Sequence, residues 1–251
     1  MIHIRSAKEI DIMRQSSRIL VAALKLAAVR IRPGLVTLDI DREIADYILS
    51  QGAQPAFKGF QGYPANSCVS VDEQVVHGIP GSRVLKEGEI VSIDIGVQYK
   101  GYCSDAARTY AVGRISEQKE RLLCVTREAL YKGVQMAREG NRLSDISHAV
   151  QMHVEQAGFS VVRELVGHGI GQLMHEEPQI PNYGPPHQGP RLKAGMVFAI
   201  EPMVNAGDWP TRTLDDHWTV VTADGSPSAH FEHNIVVTKE DPEILTEGDE
   251  G

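Results

Sequence analysis

The sequence predicts an α+β fold, a curved and mainly antiparallel sheet with helices on its outer face. Three observations carry that reading: blocks of helical periodicity alternate with blocks of strand periodicity, a helix-helix-hairpin unit occurs twice, and each copy places an acid at the same point of its hairpin. Gly34 aligns with Gly140, Asp39 with Asp145, Ile40 with Ile146, Ile44 with Val150 and Gly52 with Gly158; further on, Gly88 aligns with Gly195 and Asp94 with Glu201. The copies span 6–112 and 116–238 of one expected domain over 1–251, with an acidic tail at 239–251 read as frayed. A pseudo-twofold between the copies brings Asp94 and Glu201 together at a shared interface, where pockets form.

In chain order, Ser6 and Glu9 form a capping box, and Ile10, Met13, Ile19, Leu20, Ala23 and Leu24 carry a helix to the Arg32-Pro33-Gly34 stop. A second helix fits Leu38 to Leu49, with Gly52 as its cap. A turn-rich stretch leads to a strand near Cys68–Val71. Ser116 then opens a long helix to about Gly140, and another spans Leu143 to Gln156.

Between these lies the hairpin GEIVSIDIGVQYKGYCSD. Val91, Ile93, Ile95 and Val97 alternate with Ser92, Asp94 and Gly96, so Asp94 points away from the apolar side. A reversal near Tyr99-Lys100 sets Asp94 opposite Asp105, with Cβ atoms about 4.5–5.5 Å apart, where like charges destabilise unless a cation intervenes. Two readings stand at this point: a divalent metal between the acids, or two solvated surface acids.

The chain has 251 residues, 42% hydrophobic and 23% charged, the balance of a globular enzyme. A net charge of −8 without a basic cluster argues against stable nucleic-acid binding. No apolar run is long enough for a membrane span, and MIHIRSAKEI is unlike a secretion signal, so the expectation is a cytoplasmic protein. Cys68, Cys103 and Cys124 lack CxxC spacing and read as thiols.

The second half adds Gly167-His168-Gly169-Ile170-Gly171, His175-Glu176-Glu177-Pro178, Glu201-Pro202 and Phe231-Glu232-His233. Glycines around His168 let the backbone come close and free the imidazole to reach inward. Glu232 reads as a strand residue sharing a face with Asn234 and Val236.

Together, HGIP at 77–80, the Asp94–Asp105 spacing, GHGIG at 167–171, HEEP at 175–178, IEPM at 200–203 and FEHNIVVT at 231–238 resemble the methionine aminopeptidase family, type I, over nearly the whole chain. The short 202–231 segment lacks room for the helical insertion of type II. The resemblance implies the pita-bread fold and two divalent metals held by Asp94, Asp105, His168, Glu201 and Glu232. Four carboxylates and one imidazole suit cobalt, manganese, iron(II) or zinc in an oxygen-rich site. It also implies that His77 contacts substrate near the scissile amide, that His175 stabilises the tetrahedral intermediate, that Glu201 shuttles the proton, and that Tyr63, Cys68 and Trp218 line the first subsite. Phe57, Phe60 and Met174 join that wall as candidates because they flank motif residues, although Phe57 and Met174 differ from the family's common pocket residues.

The implied substrates are nascent polypeptide N-termini, with a transient ribosome contact and a monomeric enzyme as further expectations. His3, His148, His153, His187, His217, His230 and His233 match no family motif and read as structural or solvated. Gln61 replaces a histidine of many bacterial relatives, and His217 stands where glycine is usual. IDIG followed by GYCSDAART is locally similar to the proline-specific relatives, aminopeptidase P, prolidase and creatinase, which form the alternative. A third reading, a metal-free binding protein, conflicts with the presence of all five ligand positions.

Overall fold

The computed structural model describes residues 2–248, so the end of the acidic tail lies outside the described residues. Four helices carry the outer layer: α1 (Ala7–Arg30), α2 (Thr37–Ser50), α3 (Glu117–Met136) and α4 (Leu143–Gln156). Their starts are chemically marked. Ser6 and Glu9 form the reciprocal capping box on α1, Ser116 Oγ accepts from the Lys119 amide, and Asp145 accepts from the Arg142 amide. The α3 helix stops at Met136, short of the predicted Gly140, because the Glu139 amide turns away to the carbonyl of Thr238.

Each half has its own core. Leu20, Leu24, Ile40, Ile44 and Ile48 of α1 and α2 pack on Val91, Ile93, Ile95 and Val97 of the first-half sheet. Leu130 and Val134 of α3 and Ile146 and Val150 of α4 pack on Phe198, Ile200 and Ile235 of the second. A smaller cluster that includes Phe57, Tyr63, Cys68, Cys103 and Met174 lies near the site described below. This is the two-unit α+β architecture expected from the repeat, and the pita-bread fold that the resemblance implies.

The first-half sheet is built on the hairpin of Ile90–Tyr99 with Tyr102–Ala111; the strands Cys68–Val71 and Gln54–Pro55 pair with the other edge of Ile90–Tyr99. The hairpin register differs from the prediction by one pairing step. Tyr99 faces Tyr102 across a two-residue turn at Lys100-Gly101, both with positive φ, so Asp94 faces Ala107 and Asp105 faces Gly96. The two acids still share a face, now as diagonal neighbours roughly 7–8 Å apart instead of a direct pair.

The second-half sheet orders its antiparallel strands as Glu243–Ile244, His233–Val236, Val197–Ile200, Val166–Gly169 and Glu176–Pro181. Here the tail departs from expectation. Ile244 pairs with Ile235, and Leu245 and Thr246 are buried, because the apolar pair within an otherwise acidic stretch completes the sheet edge. Glu232 also departs: it lies between the strands Ser228–His230 and His233–Val236, not within one. Its amide donates across the halves to the Ala107 carbonyl, while Thr109 Oγ1 donates to the His230 carbonyl and the Asp105 amide donates to Asn234 Oδ1. That seam joins the two sheets.

Candidate metal centre and active site

The seam delivers acids from both halves to one partly open cavity of about 130 Å³. Asp94, Asp105, His168, Glu201 and Glu232 all line it, together with His77, His175, Tyr63, Cys68 and Trp218. Every residue predicted for the site is therefore brought to one place. Phe57, Phe60 and Gln61 also line the cavity, and Met174 packs in the adjoining apolar cluster.

Asp94, Asp105 and Glu232 are almost wholly buried, and among the described residues Asp94 Oδ1, Asp105 Oδ1 and Glu232 Oε1 have no hydrogen-bond partner. Burial is the main cause that pushes all four carboxyls above the ordinary range, Asp94 to about 7. The neighbouring carboxylates raise Asp105, Glu201 and Glu232 further, and Arg108 partly offsets this at Glu232. Four crowded carboxyls, three of them with orphaned oxygens, cannot all ionise unless cations share the space. The donor set thus fits divalent metals.

His168 completes it. Gly167 and Gly169 allow the close approach that its strand needs: a Cβ on Gly169 would lie 2.2 Å from the Glu177 carbonyl oxygen, and one on Gly167 2.5 Å from that of Ala199. Because a carbonyl can only accept, the 2.9 Å contact to Gly169 O puts the His168 proton on Nδ1. The Nε2 lone pair then faces Glu201 Oε1 at 3.5 Å and Asp105 Oδ2 at 3.8 Å. Burial lowers the His168 pKa to about 3, so the ring is neutral and available as a ligand. Asp105, His168 and Glu232 already bring donor atoms within 4.8 Å of one another.

The two histidines assigned to substrate stand beside this cluster. His175 packs edge-on against His168, ring centroids 4.2 Å apart, and against Phe60 at 5.2 Å. Its loop is fastened by Glu176, which pairs with Arg5 and accepts from the Leu173 amide, so that HEEP acid is a structural group and not a solvated one. His77 has a φ of +59°, a conformation that costs a non-glycine residue energy and recurs at functional sites. Burial, followed by His175, lowers its pKa to about 4. Tyr63 donates to the Gly78 carbonyl at 3.0 Å and packs against Trp218, which places an aromatic wall beside His77.

His230, read from the sequence as structural or solvated, stands beside the site. It is buried, its Nε2 has no hydrogen-bond partner among the described residues, and that atom lies 3.8 Å from Glu201 Oε2. Burial lowers its pKa to about 3. Its position two residues before Glu232 is the only signal the sequence carried.

Comparison with known proteins agrees with this geometry. The model of metallopeptidase family M24 matches residues 11–239. Methionine aminopeptidase 1 of Bacillus subtilis is 55% identical over 246 residues, covering 98% of this chain and 99% of the relative. The crystal structure of methionine aminopeptidase from Thermotoga maritima superposes with a TM-score of 0.97 at 46% identity, covering 99% of this chain and 100% of that one. A prolidase from Pyrococcus furiosus shares the fold at a TM-score of 0.81 and 22% identity, but this chain covers only 66% of it. With motifs, cavity and near full-length similarity in agreement, the chain belongs to metallopeptidase family M24, among its methionine aminopeptidases.

Proposed function

We propose that the protein removes the N-terminal methionine of nascent polypeptides whose second residue is small. The observation that carries this reading is the cavity itself, five ligand-type side chains with orphaned carboxylate oxygens beside a short aromatic pocket. Asp94, Asp105, His168, Glu201 and Glu232 would hold two divalent ions, with cobalt, manganese, iron(II) and zinc compatible with the donors. When bound, the ions supply Lewis acidity and lower the pKa of a water.

The chain's own residues do the rest. Glu201, whose carboxyl is raised by burial and by Asp105, takes a proton from the attacking water and delivers it to the leaving amine. His77 and His175, kept neutral by burial, each offer an N–H to the substrate carbonyl side as charge develops there. Tyr63, Cys68 and Trp218 wall the first subsite, where a flexible thioether gains sulfur-aromatic contacts of about 0.3–1.5 kcal/mol each. A lysine would bury an unpaired ammonium against those walls. The chain acts as one catalytic domain, as a monomer, in the cytoplasm, with transient contact to ribosomes that present its substrates.

The test is a comparison of Met-Ala-Ser with an Xaa-Pro dipeptide, with and without chelator. Methionine release that stops on chelation is expected, with norleucine partly replacing methionine and Met-Ile or Lys-Ala starts resisting. Faster cleavage before proline would transfer the assignment to the proline-specific relatives.

A further inference from the structure

The segment around Glu243–Ile244 does more than close a sheet edge. Thr246 is fully buried, and its hydroxyl accepts from the Asn234 amide at 3.0 Å and bonds His233 Nδ1 at 2.9 Å. The Leu245 amide donates to the Asn234 carbonyl at 2.8 Å, so both backbone polar groups of Asn234 are held by this segment. Its side-chain oxygen accepts from the Asp105 amide at 2.7 Å. A second path runs through Arg108, which donates to the Thr246 carbonyl at 3.1 Å and to the Glu232 carbonyl at 2.8 Å. Both paths start at one threonine, and each ends on the backbone of an acid, one from each half.

We propose that Thr246 is a positioning residue for the metal centre, a C-terminal clasp that fixes Asp105 through Asn234 and Glu232 through Arg108. The proposal rests on the ligand assignment above. Buried hydrogen-bonded groups behind metal ligands set ligand orientation, and their loss commonly weakens metal binding about 10–100-fold. Thr246 does not line the cavity, and among the described residues it reaches the ligands through Asn234 and Arg108, so its effect must appear in metal affinity and not in substrate contacts.

The experiment strips the full-length protein of metal and titrates it with Mn²⁺ by calorimetry. Thr246→Val keeps the shape and the backbone carbonyl that Arg108 meets but removes the hydroxyl that holds Asn234, so it cuts the path to Asp105; about tenfold weaker Mn²⁺ binding is expected. Thr246→Ser keeps the hydroxyl and should bind as wild type. Glu243→Gln breaks the ion pair of the same segment with Arg14 but leaves the clasp intact, and should also bind as wild type. Wild-type affinity in Thr246→Val, or equal weakening in all three variants, overturns the proposal.

Linkage provides a check that needs no variant, because metal must stabilise the clasp by the factor with which the clasp favours metal. Mn²⁺ should slow hydrogen exchange at the Asn234 and Leu245 amides more than at the Ala53 amide beyond α2. Equal slowing, or none at Leu245, overturns the proposal even if Thr246→Val does not fold. Glu232→Gln separates the two readings: if it retains full Mn²⁺ affinity the ligand assignment fails, and if it loses affinity while Thr246→Val does not, only the clasp fails.

Discussion

In the first half both acids stand on ten-residue strands joined by a two-residue turn, whereas in the second Glu201 and Glu232 lie just outside strands, separated by an excursion through residues 202–231. That excursion contains four short strands and brings Trp218 to the cavity. The first half thus fixes its acids by continuous sheet, and the second by contacts that cross the seam, such as the Glu232 amide on Ala107. Two similar halves hold their acids in different ways.

The strongest test of the rigid side is Asp105→Asn. Hydrolysis should fall on the order of 10⁴-fold or more, as for other residues at the reacting centre. The fold should survive, because the hairpin is held by a full ladder and the amide removes one of four crowded charges. Stability of the chelated protein carries the sign. Asp94 has a folded pKa of about 7 against 3.8 unfolded, so its contribution is present below the unfolded value and is lost as pH rises toward about 7. The other three carboxyls act in the same direction. Below about pH 6.5 the buried neutral histidines, with His77 lowered to about 4 and His168 and His230 to about 3, gain stability with rising pH and oppose this loss. The melting temperature of chelated wild type should therefore fall between about pH 6.5 and pH 8, where the carboxyls act unopposed, and Asp105→Asn should flatten the fall. A flat wild-type profile would mean the acids are not strained without metal.

Across the seam, His77→Ala and His175→Ala should each slow turnover by about 10²-fold while metal content stays near wild type. One histidine comes from each half, so similar losses would show that both halves contribute to the reaction and not only to metal binding. Loss of metal in either variant, read by elemental analysis, would move that residue into the ligand set.

Elements decided by neighbours in sequence were legible there. The start of α1 and the whole of α4 follow from capping residues and periodicity, which are local. The family motifs also led to a cavity in which all the named side chains meet. What escaped depends on distant partners. The hairpin register turns on Lys100 accepting a positive φ. Glu232 leaves its strand for a carbonyl in the other half, and the tail is held by Arg108, His233 and Asn234. His230 shows nothing by itself, since its role depends on where Glu201 lies.

Gly96 gives a sharper test of how the rigid half shapes the pocket. It faces Asp105, and a Cβ there would meet Phe57 Cε1 at 2.5 Å and Met174 Cε at 2.7 Å. The strand cannot yield, so the side chains must. Phe57 lines the cavity, and Gly96→Ala should push it toward the first subsite at about 1–3 kcal/mol of overpacking. KM for Met-Ala-Ser should rise about tenfold with kcat largely kept, and a uniform loss of kcat would instead mean that Asp105 had moved.

The smallest expected effect lies on the excursion, at His217. Its φ is +64°, a left-handed conformation that costs an L-residue roughly 1–2 kcal/mol, and its side chain is exposed. The turn does not depend on that side chain. Asp216 anchors it by accepting from the Trp218 and Thr219 amides and from the Thr219 hydroxyl. His217→Gly removes the strain but widens the unfolded ensemble, which returns roughly 0.5–1 kcal/mol. The net gain should be about 0.5–1 kcal/mol, a rise in melting temperature of roughly 1–4 °C for a chain of this size. Trp218 should keep its contact with Tyr63, so KM for Met-Ala-Ser should stay within about twofold, equivalent to under about 0.5 kcal/mol. A stable variant with a much higher KM would show that the histidine itself, and not the Asp216 turn, holds Trp218 at the pocket.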